Sequence, residues 1–375
     1  MTLSLPADPP GALRLTDVLP QLMAAIDGHP SRWPAARSAV VFVVDGLGAN
    51  NLAEHTGHAR FLAAHRGKKH VAASVFPSTT AAALTSLLTA SPVGVHGLVG
   101  YRALDPVEGV LRNQLTDWGP RALDPLTWPR ARPLSETDDR HRWVVASKPE
   151  YAGTGFTVAT LRGAEITGDK DLTARVDLAV RAARSEPGTI VYLYAPELDS
   201  AGHRHGVDSE QWIAALEAVD AAARRLHDAA AAAGIGVVLT ADHGMVDVPA
   251  HRQIVLEEGD ARLGGVAAIG GEPRMLHLYA EPGAAPALRA AWADEPTAWV
   301  FSRDEAIEAG LFGGPVAADV AARIGDVLVA ARGRYAYYDG RLADTSLQKM
   351  IGQHGSLTPE ERIVPLLPLG AFSRV

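Results

Sequence analysis

Three near-continuous apolar runs punctuate the chain, and each leads into an aspartate. Ser38 to Val44 (SAVVFVV) runs into Asp45-Gly46, Thr189 to Ala195 (TIVYLYA) ends near Asp199, and Gly234 to Thr240 (GIGVVLT) ends at Asp242. Runs of this length without polar alternation fit strands buried on both faces of a parallel sheet. Between them lie stretches with helical patterning, at about 49–65, 79–90, 171–184 and 208–233. The last contains AAARRLHDAAAAA, which reads as helix because alanine is the strongest helix former. The alternation predicts an α/β fold with a mostly parallel central sheet and helices on both faces.

Two regions break this rhythm. Residues 102–150 are rich in Arg, Pro, Trp and Asp, and read as a long excursion between sheet elements. Residues 251–345 carry further strand-like runs (Met275–Tyr279, Ala298–Phe301, Val327–Ala331, Tyr335–Tyr338) divided by Gly and Pro. They read as an inserted lid or subdomain. A catalytic α/β core is then expected over 1–250 and 346–375. The length of 375 residues is compatible with two such units.

Composition narrows the chemistry. Lys and Arg number 35 against 43 Asp and Glu, a net charge of −8, which argues against a protein that coats nucleic acid. There is no cysteine, so disulfides, iron–sulfur clusters, thiolate zinc sites and cysteine nucleophiles are excluded. A transition-metal site must draw on the 14 histidines and the carboxylates. The opening MTLSLPADPPGALRLTD lacks the basic start and apolar run of a secretory signal. No apolar stretch is long enough to span a bilayer. The expected location is cytoplasmic.

In open parallel sheets, ligands bind outside the carboxyl ends of the strands. Asp45, Asp199 and Asp242 are therefore expected to gather at one edge. Histidines accompany two of them. Asp199 and His203 in ELDSAGHRHG share a helix face at i, i+4 spacing, and Asp242-His243 sits in TADHGM at a strand end. His354 lies far down the chain in GQHGSL, flanked by glycine. Mixed N/O ligands without sulfur suit zinc, with manganese or iron as weaker options. A hydroxyl cluster, FPSTT, precedes the helical AAALTSLLTA. A helix N-terminus offers free N–H groups to a phosphate, and a bound metal turns a weak hydroxyl into a nucleophile. Ser78, Thr79 and Thr80 are equally good capping hydroxyls. His96, before Gly97, reads as a structural turn residue, and His205 as pointing away from its neighbour His203.

The set VVFVVDGLG, FPSTT followed by LLTASPVGVHG, ELDSAGHRHG, TADHGM and the late HG resembles the alkaline phosphatase superfamily. It is most similar to the nucleotide pyrophosphatase/phosphodiesterase branch, with the blocks in family order from residue 41 to 355. The resemblance implies a site with two divalent metal ions, most often zinc. Asp199, His203 and His354 would hold one ion, and Asp45, Asp242, His243 and the nucleophile the other. It maps the nucleophile to Thr80, with Thr79 as the neighbouring alternative. Family members often carry an Asn after the downstream His-Gly, where it helps hold a phosphoryl oxygen. Tyr101 stands at that place here, able to donate a similar hydrogen bond or to wall a substrate pocket. Arg102 and Arg112 are candidate phosphate contacts.

The expected activity is metal-dependent hydrolysis of a small phosphodiester, pyrophosphate or nucleotide through a phosphothreonine. A phosphomonoesterase, phosphonate hydrolase or phosphomutase on the same scaffold is the alternative. A monoester carries more negative charge and needs a cationic clamp. A sulfatase is disfavoured, because FPSTT does not resemble the modified-residue motif of that group. A non-catalytic metal-binding protein would have lost a ligand or the hydroxyl, and the sequence retains them all.

Overall fold

The computed structural model describes residues 5–374; residues 1–4, the start of the segment read for a signal, and residue 375 lie outside it. Eight strands form the central sheet, in the order Leu13–Arg14, Val71–Ala73, Ile363–Gly370, Ile235–Thr240, Ser38–Val44, Thr189–Ala195, Arg142–Ser147, Glu165–Gly168. Every neighbouring pair is parallel except the two made by Ile363–Gly370. Ser38–Val44 lies between Thr189–Ala195 and Ile235–Thr240, with Val44 opposite Ala195 and Val43 opposite Thr240. All three are buried along their whole length, as their unbroken apolar runs require. Because they run in one direction and in register, the chain after each emerges at one edge. Asp45, Asp199 and Asp242 meet there.

Three elements differ from the pattern-based expectation. The helix expected over 49–65 is two, Ala49–Glu54 and Arg60–Ala64. The break around Gly57 is stabilised from outside: Asp220, on the long Glu210–Ala232 helix, accepts the N–H groups of Phe61 and Leu62 at 3.2 and 2.8 Å. The 102–150 excursion ends in a full strand of the main sheet, Arg142–Ser147. The C-terminal Ile363–Gly370 enters the sheet interior although Pro365 and Pro368 cannot donate to a ladder. It changes partner along its length, from Val71–Ala73 to Ile235–Thr240.

Four strands between residues 266 and 331 build a second, antiparallel sheet in the order Val266–Glu272, Met275–Ala280, Val327–Ala331, Ala298–Ser302. One of its cores gathers Leu276, Leu278, Trp292, Val327 and Val329. Another joins Met275, Phe301, Phe312 and Leu328 to Phe76, Ala82, Val93 and Val99. This second sheet thus packs directly on the segment carrying FPSTT. Each large side chain buried there contributes about 1.5–3 kcal/mol. Among the described residues, no helix is long and apolar enough to cross a membrane.

Candidate active site

Two clusters of metal-ligating groups stand at the carboxyl edge: Asp199, His203 and His354, and Asp45, Asp242 and His243. In each, the ligand atoms lie within 4.8 Å of one another. His203 Nε2 is 3.3 Å from Asp199 Oδ1, and His354 Nε2 is 3.9 Å from the same oxygen. His243 Nε2 is 3.4 Å from both Asp45 Oδ1 and Asp242 Oδ2. Bonds of about 2.0–2.1 Å in a tetrahedral shell put neighbouring ligands roughly 3.3 Å apart. The His243 and His354 rings stack at 3.5 Å and link the clusters.

The environment fits divalent cations. Asp45 Oδ1, Asp199 Oδ1 and Asp242 Oδ2 are buried oxygens with no hydrogen-bond partner, an arrangement that is costly without a counterion. Burial, and then the charges of Asp242 and Asp199, push the Asp45 carboxyl well up from its ordinary range. Burial likewise raises Asp242. The His354 imidazole is held well below its usual range by burial and then by His243 and His203. His203 Nδ1 donates to the Gly352 carbonyl at 2.7 Å and His354 Nδ1 to that of Ser78 at 2.9 Å. Both bonds leave the Nε2 lone pair facing the cluster, the usual outer support of a metal-binding histidine. Gly46 has φ +75°, and a Cβ there would meet Asp199 Cα at 3.0 Å, so only glycine permits this close meeting of strand ends.

Thr80 is the first residue of the helix Thr80–Thr89, with extended Thr79 as its N-cap. Its hydroxyl lies 3.1 Å from His243 Nε2. The first N–H groups of the helix have no intrahelical acceptor and present the positive end of its dipole. Ser78 is turned away and donates to the Ser356 carbonyl at 2.7 Å. Of the three hydroxyls in FPSTT, Thr80 is thus the one beside the ligand clusters.

The sequence profile described as "Type I phosphodiesterase / nucleotide pyrophosphatase" matches residues 39–357, which span every one of these side chains. The chain belongs to this family. Members are metal-dependent hydrolases of phosphoester and pyrophosphate bonds, and the chain is an enzyme of that class. A search of curated proteins finds no match. Among solved structures, the fold is similar to murine ectonucleotide pyrophosphatase/phosphodiesterase 5, an inactive variant in complex with AMP. That likeness has a TM-score of 0.67 at 18% identity, over 89% of this chain and 88% of that one. It is equally similar to phosphonoacetate hydrolase from Sinorhizobium meliloti 1021 in complex with phosphonoformate, with a TM-score of 0.67 at 20% identity over 90% and 91%.

Within this family member, the expected substrate contacts fall out differently. Arg102 belongs to the hairpin Arg102–Asp105/Val110–Asn113 and lines a separate groove with Tyr338 and Asp339. Arg112 lies in another surface depression, with Asp105 and Arg323. Neither lines the cavity beside Thr80. Tyr101 is half-buried and does not wall that cavity either. Its peptide N–H and the Thr79 hydroxyl face the Glu272 carboxyl, outside hydrogen-bond geometry to it. His96 is structural: buried, it takes the Leu98 N–H on Nδ1 at 3.1 Å and meets Ser86 Oγ at 2.8 Å through Nε2. His205 is exposed.

Several groups near the site escaped the sequence reading. The Tyr194 hydroxyl donates to Asp45 Oδ2. Its only signal was a polar-tipped ring one residue before the end of a buried strand. Glu272 and Arg274 come from a segment that no motif marks, and the pairing of Arg274 with Glu361 is a tertiary contact. A cavity of about 450 Å³ opens beside Asp45, Thr80 and Asp199.

Proposed function

We propose that this family member hydrolyses a small phosphodiester or pyrophosphate, with Thr80 as nucleophile. The observation that carries the reading is the Thr80 hydroxyl at a helix N-terminus, 3.1 Å from His243 and flanked by two three-ligand clusters. Asp199, His203 and His354 would hold one divalent ion, and Asp45, Asp242, His243 and Thr80 the other. Zinc fits the N/O ligand set and its spacing, with manganese as the alternative. When bound, such ions supply charge stabilisation for the transferring phosphoryl group and lower the pKa of a coordinated hydroxyl or water.

The Thr80 oxygen attacks phosphorus, and the bond to the leaving oxygen breaks as a phosphothreonine forms. The departing alcohol or phosphate gains a proton. Water then attacks phosphorus, the Thr80 Oγ–P bond breaks, and the hydroxyl is regenerated with release of the phosphorylated product. Throughout, the N–H groups of the first helical turn face the developing negative charge.

A diester is favoured over a monoester or a carboxylate-bearing phosphonate by charge. Among the described residues, no Lys or Arg lines the cavity beside Thr80. The neighbouring Lys148 is engaged with Glu197 at 3.4 Å. A further negative charge carried on the arm inside this cavity would meet no cationic side chain, only the carboxylates of Asp45, Glu150 and Asp199. The test is hydrolysis of bis(p-nitrophenyl) phosphate against p-nitrophenyl phosphate by the zinc-loaded protein, with a chelator control. Diester turnover abolished by chelation is the expected result. A monoester preference overturns the diester assignment, and turnover unaffected by chelation overturns the two-ion assignment.

A further inference from the structure

The cavity beside Thr80 has a composition that narrows the substrate class. It lies under the nucleophile's own helix, where Leu84 and Leu88 follow Thr80 at i+4 and i+8 and so share its face. Val145, Phe156 and Leu161 also line it, with the rings of Tyr192 and Tyr194. At about 450 Å³ it is in the size range of small-molecule sites.

Most of the surface it presents is apolar, and several of the hydroxyls around it are committed elsewhere. Thr157 Oγ1 donates to the Tyr151 carbonyl at 2.7 Å and Thr160 Oγ1 to that of Phe156 at 2.8 Å. Thr154 Oγ1 donates to the Tyr151 carbonyl at 3.1 Å, and the Tyr194 hydroxyl is held by Asp45. The charged groups lining it are all acidic: Asp45 and Asp199 at the metal edge and exposed Glu150. A nucleobase, with several hydrogen-bonding edges, or an arm bearing a further phosphate finds little here to replace its water. Burying an unmatched polar group is costly, whereas burying apolar surface is favourable.

We infer that this cavity takes a neutral, mainly apolar alkyl or aryl arm of the phosphodiester. The inference rests on the proposed Thr80 chemistry. An in-line leaving group departs on the side opposite the attacking oxygen. The cavity is lined by the helix face that carries Thr80, Leu84 and Leu88, on the nucleophile's side, and the arm placed in it is the one retained on phosphorus.

The test is a series of p-nitrophenyl diesters with a common leaving group and a retained arm of methyl, ethyl, butyl, phenyl or 5′-thymidyl. For the zinc-loaded protein, kcat/KM is expected to rise about fourfold per methylene from methyl to butyl. Phenyl should exceed 5′-thymidyl. Leu88→Trp, which fills part of the cavity, should lower the butyl-to-methyl ratio. A flat or falling series, or preference for the thymidyl ester, overturns the inference. Binding without turnover separates the two readings: titration of the metal-free protein with p-cresol and with thymidine, followed through the methyl resonances of Leu84 and Leu88. Saturable shifts with p-cresol and none with thymidine support the apolar cavity even if no ester is turned over, in which case the hydrolytic reading alone fails. No shift with p-cresol overturns the cavity assignment.

Discussion

Arg274 and Glu361 form a fully buried, two-pronged ion pair, Nε to Oε1 at 2.7 Å and Nη2 to Oε2 at 2.7 Å. Arg274 lies between two strands of the four-stranded antiparallel sheet, and Glu361 just before the central-sheet strand Ile363–Gly370. The same carboxylate also accepts the Ser356 N–H at 3.0 Å and the Thr358 hydroxyl at 2.6 Å. The Ser356 carbonyl takes the Ser78 hydroxyl, and the Ser78 carbonyl takes His354 Nδ1. One pair therefore fixes both the loop bearing His354 and the loop bearing Thr80. This is a reason for the second sheet to be seated against the core.

Removing one partner leaves an uncompensated buried charge, which costs about 3–5 kcal/mol. Arg274→Met and Glu361→Leu are each expected to destabilise by that order in denaturant unfolding. The double variant is expected to be less destabilised than the two losses summed, because neither charge is left alone. Additive losses would show that the pair itself matters little.

Thr80→Ala is expected to keep its metal content, measured by elemental analysis, yet lose diester turnover by about three orders of magnitude or more. Thr79→Ala should lose far less, since the Thr79 hydroxyl faces Glu272 rather than a ligand cluster. The opposite ranking would move the nucleophile to Thr79.

The meeting of Asp45, Asp199 and Asp242 was legible because it needs only local information. Each follows an unbroken apolar run, and parallel strands deliver such residues to one edge. Leu84 and Leu88 were legible in principle from their spacing to Thr80, but helical spacing alone does not distinguish a cavity wall from ordinary core. Tyr194, Glu272 and the Arg274–Glu361 pair were not legible. Their roles depend on tertiary contacts: Tyr194 meets Asp45 across adjacent strands, and Arg274 meets Glu361 across the boundary between the second sheet and the core. The strand Ile363–Gly370 was hidden by its prolines. The break at Gly57 is fixed by Asp220, which belongs to a distant helix.

Tyr194 offers a way to weaken the Asp45 site without touching a ligand. Its hydroxyl orients Asp45, and outer supports of this kind typically contribute 10- to 100-fold in metal affinity. Tyr194→Phe should lower the affinity for one of two ions by about that factor in a competitive chelator titration. An unchanged titration curve would remove Tyr194 from the account of the site.

Glu272 predicts an unusual pH dependence. It lies behind the Thr80 loop, and Gly355 must be glycine because a Cβ there would approach Glu272 Cγ to 2.7 Å. Burial pushes its carboxyl up to about 8 from an ordinary 4.5, despite the Tyr101 N–H and the Thr79 hydroxyl facing it. A carboxyl whose folded pKa is raised stabilises the fold while protonated. That contribution is fully present below about pH 4.5 and is lost as pH rises toward 8. Its size is on the order of a few kcal/mol. In the metal-stripped protein, Glu272→Gln keeps the neutral shape and cannot ionise. It should match the native protein in thermal stability near pH 5 and exceed it by several degrees near pH 8.5. If the two proteins lose stability in parallel over that range, Glu272 is not the group that titrates.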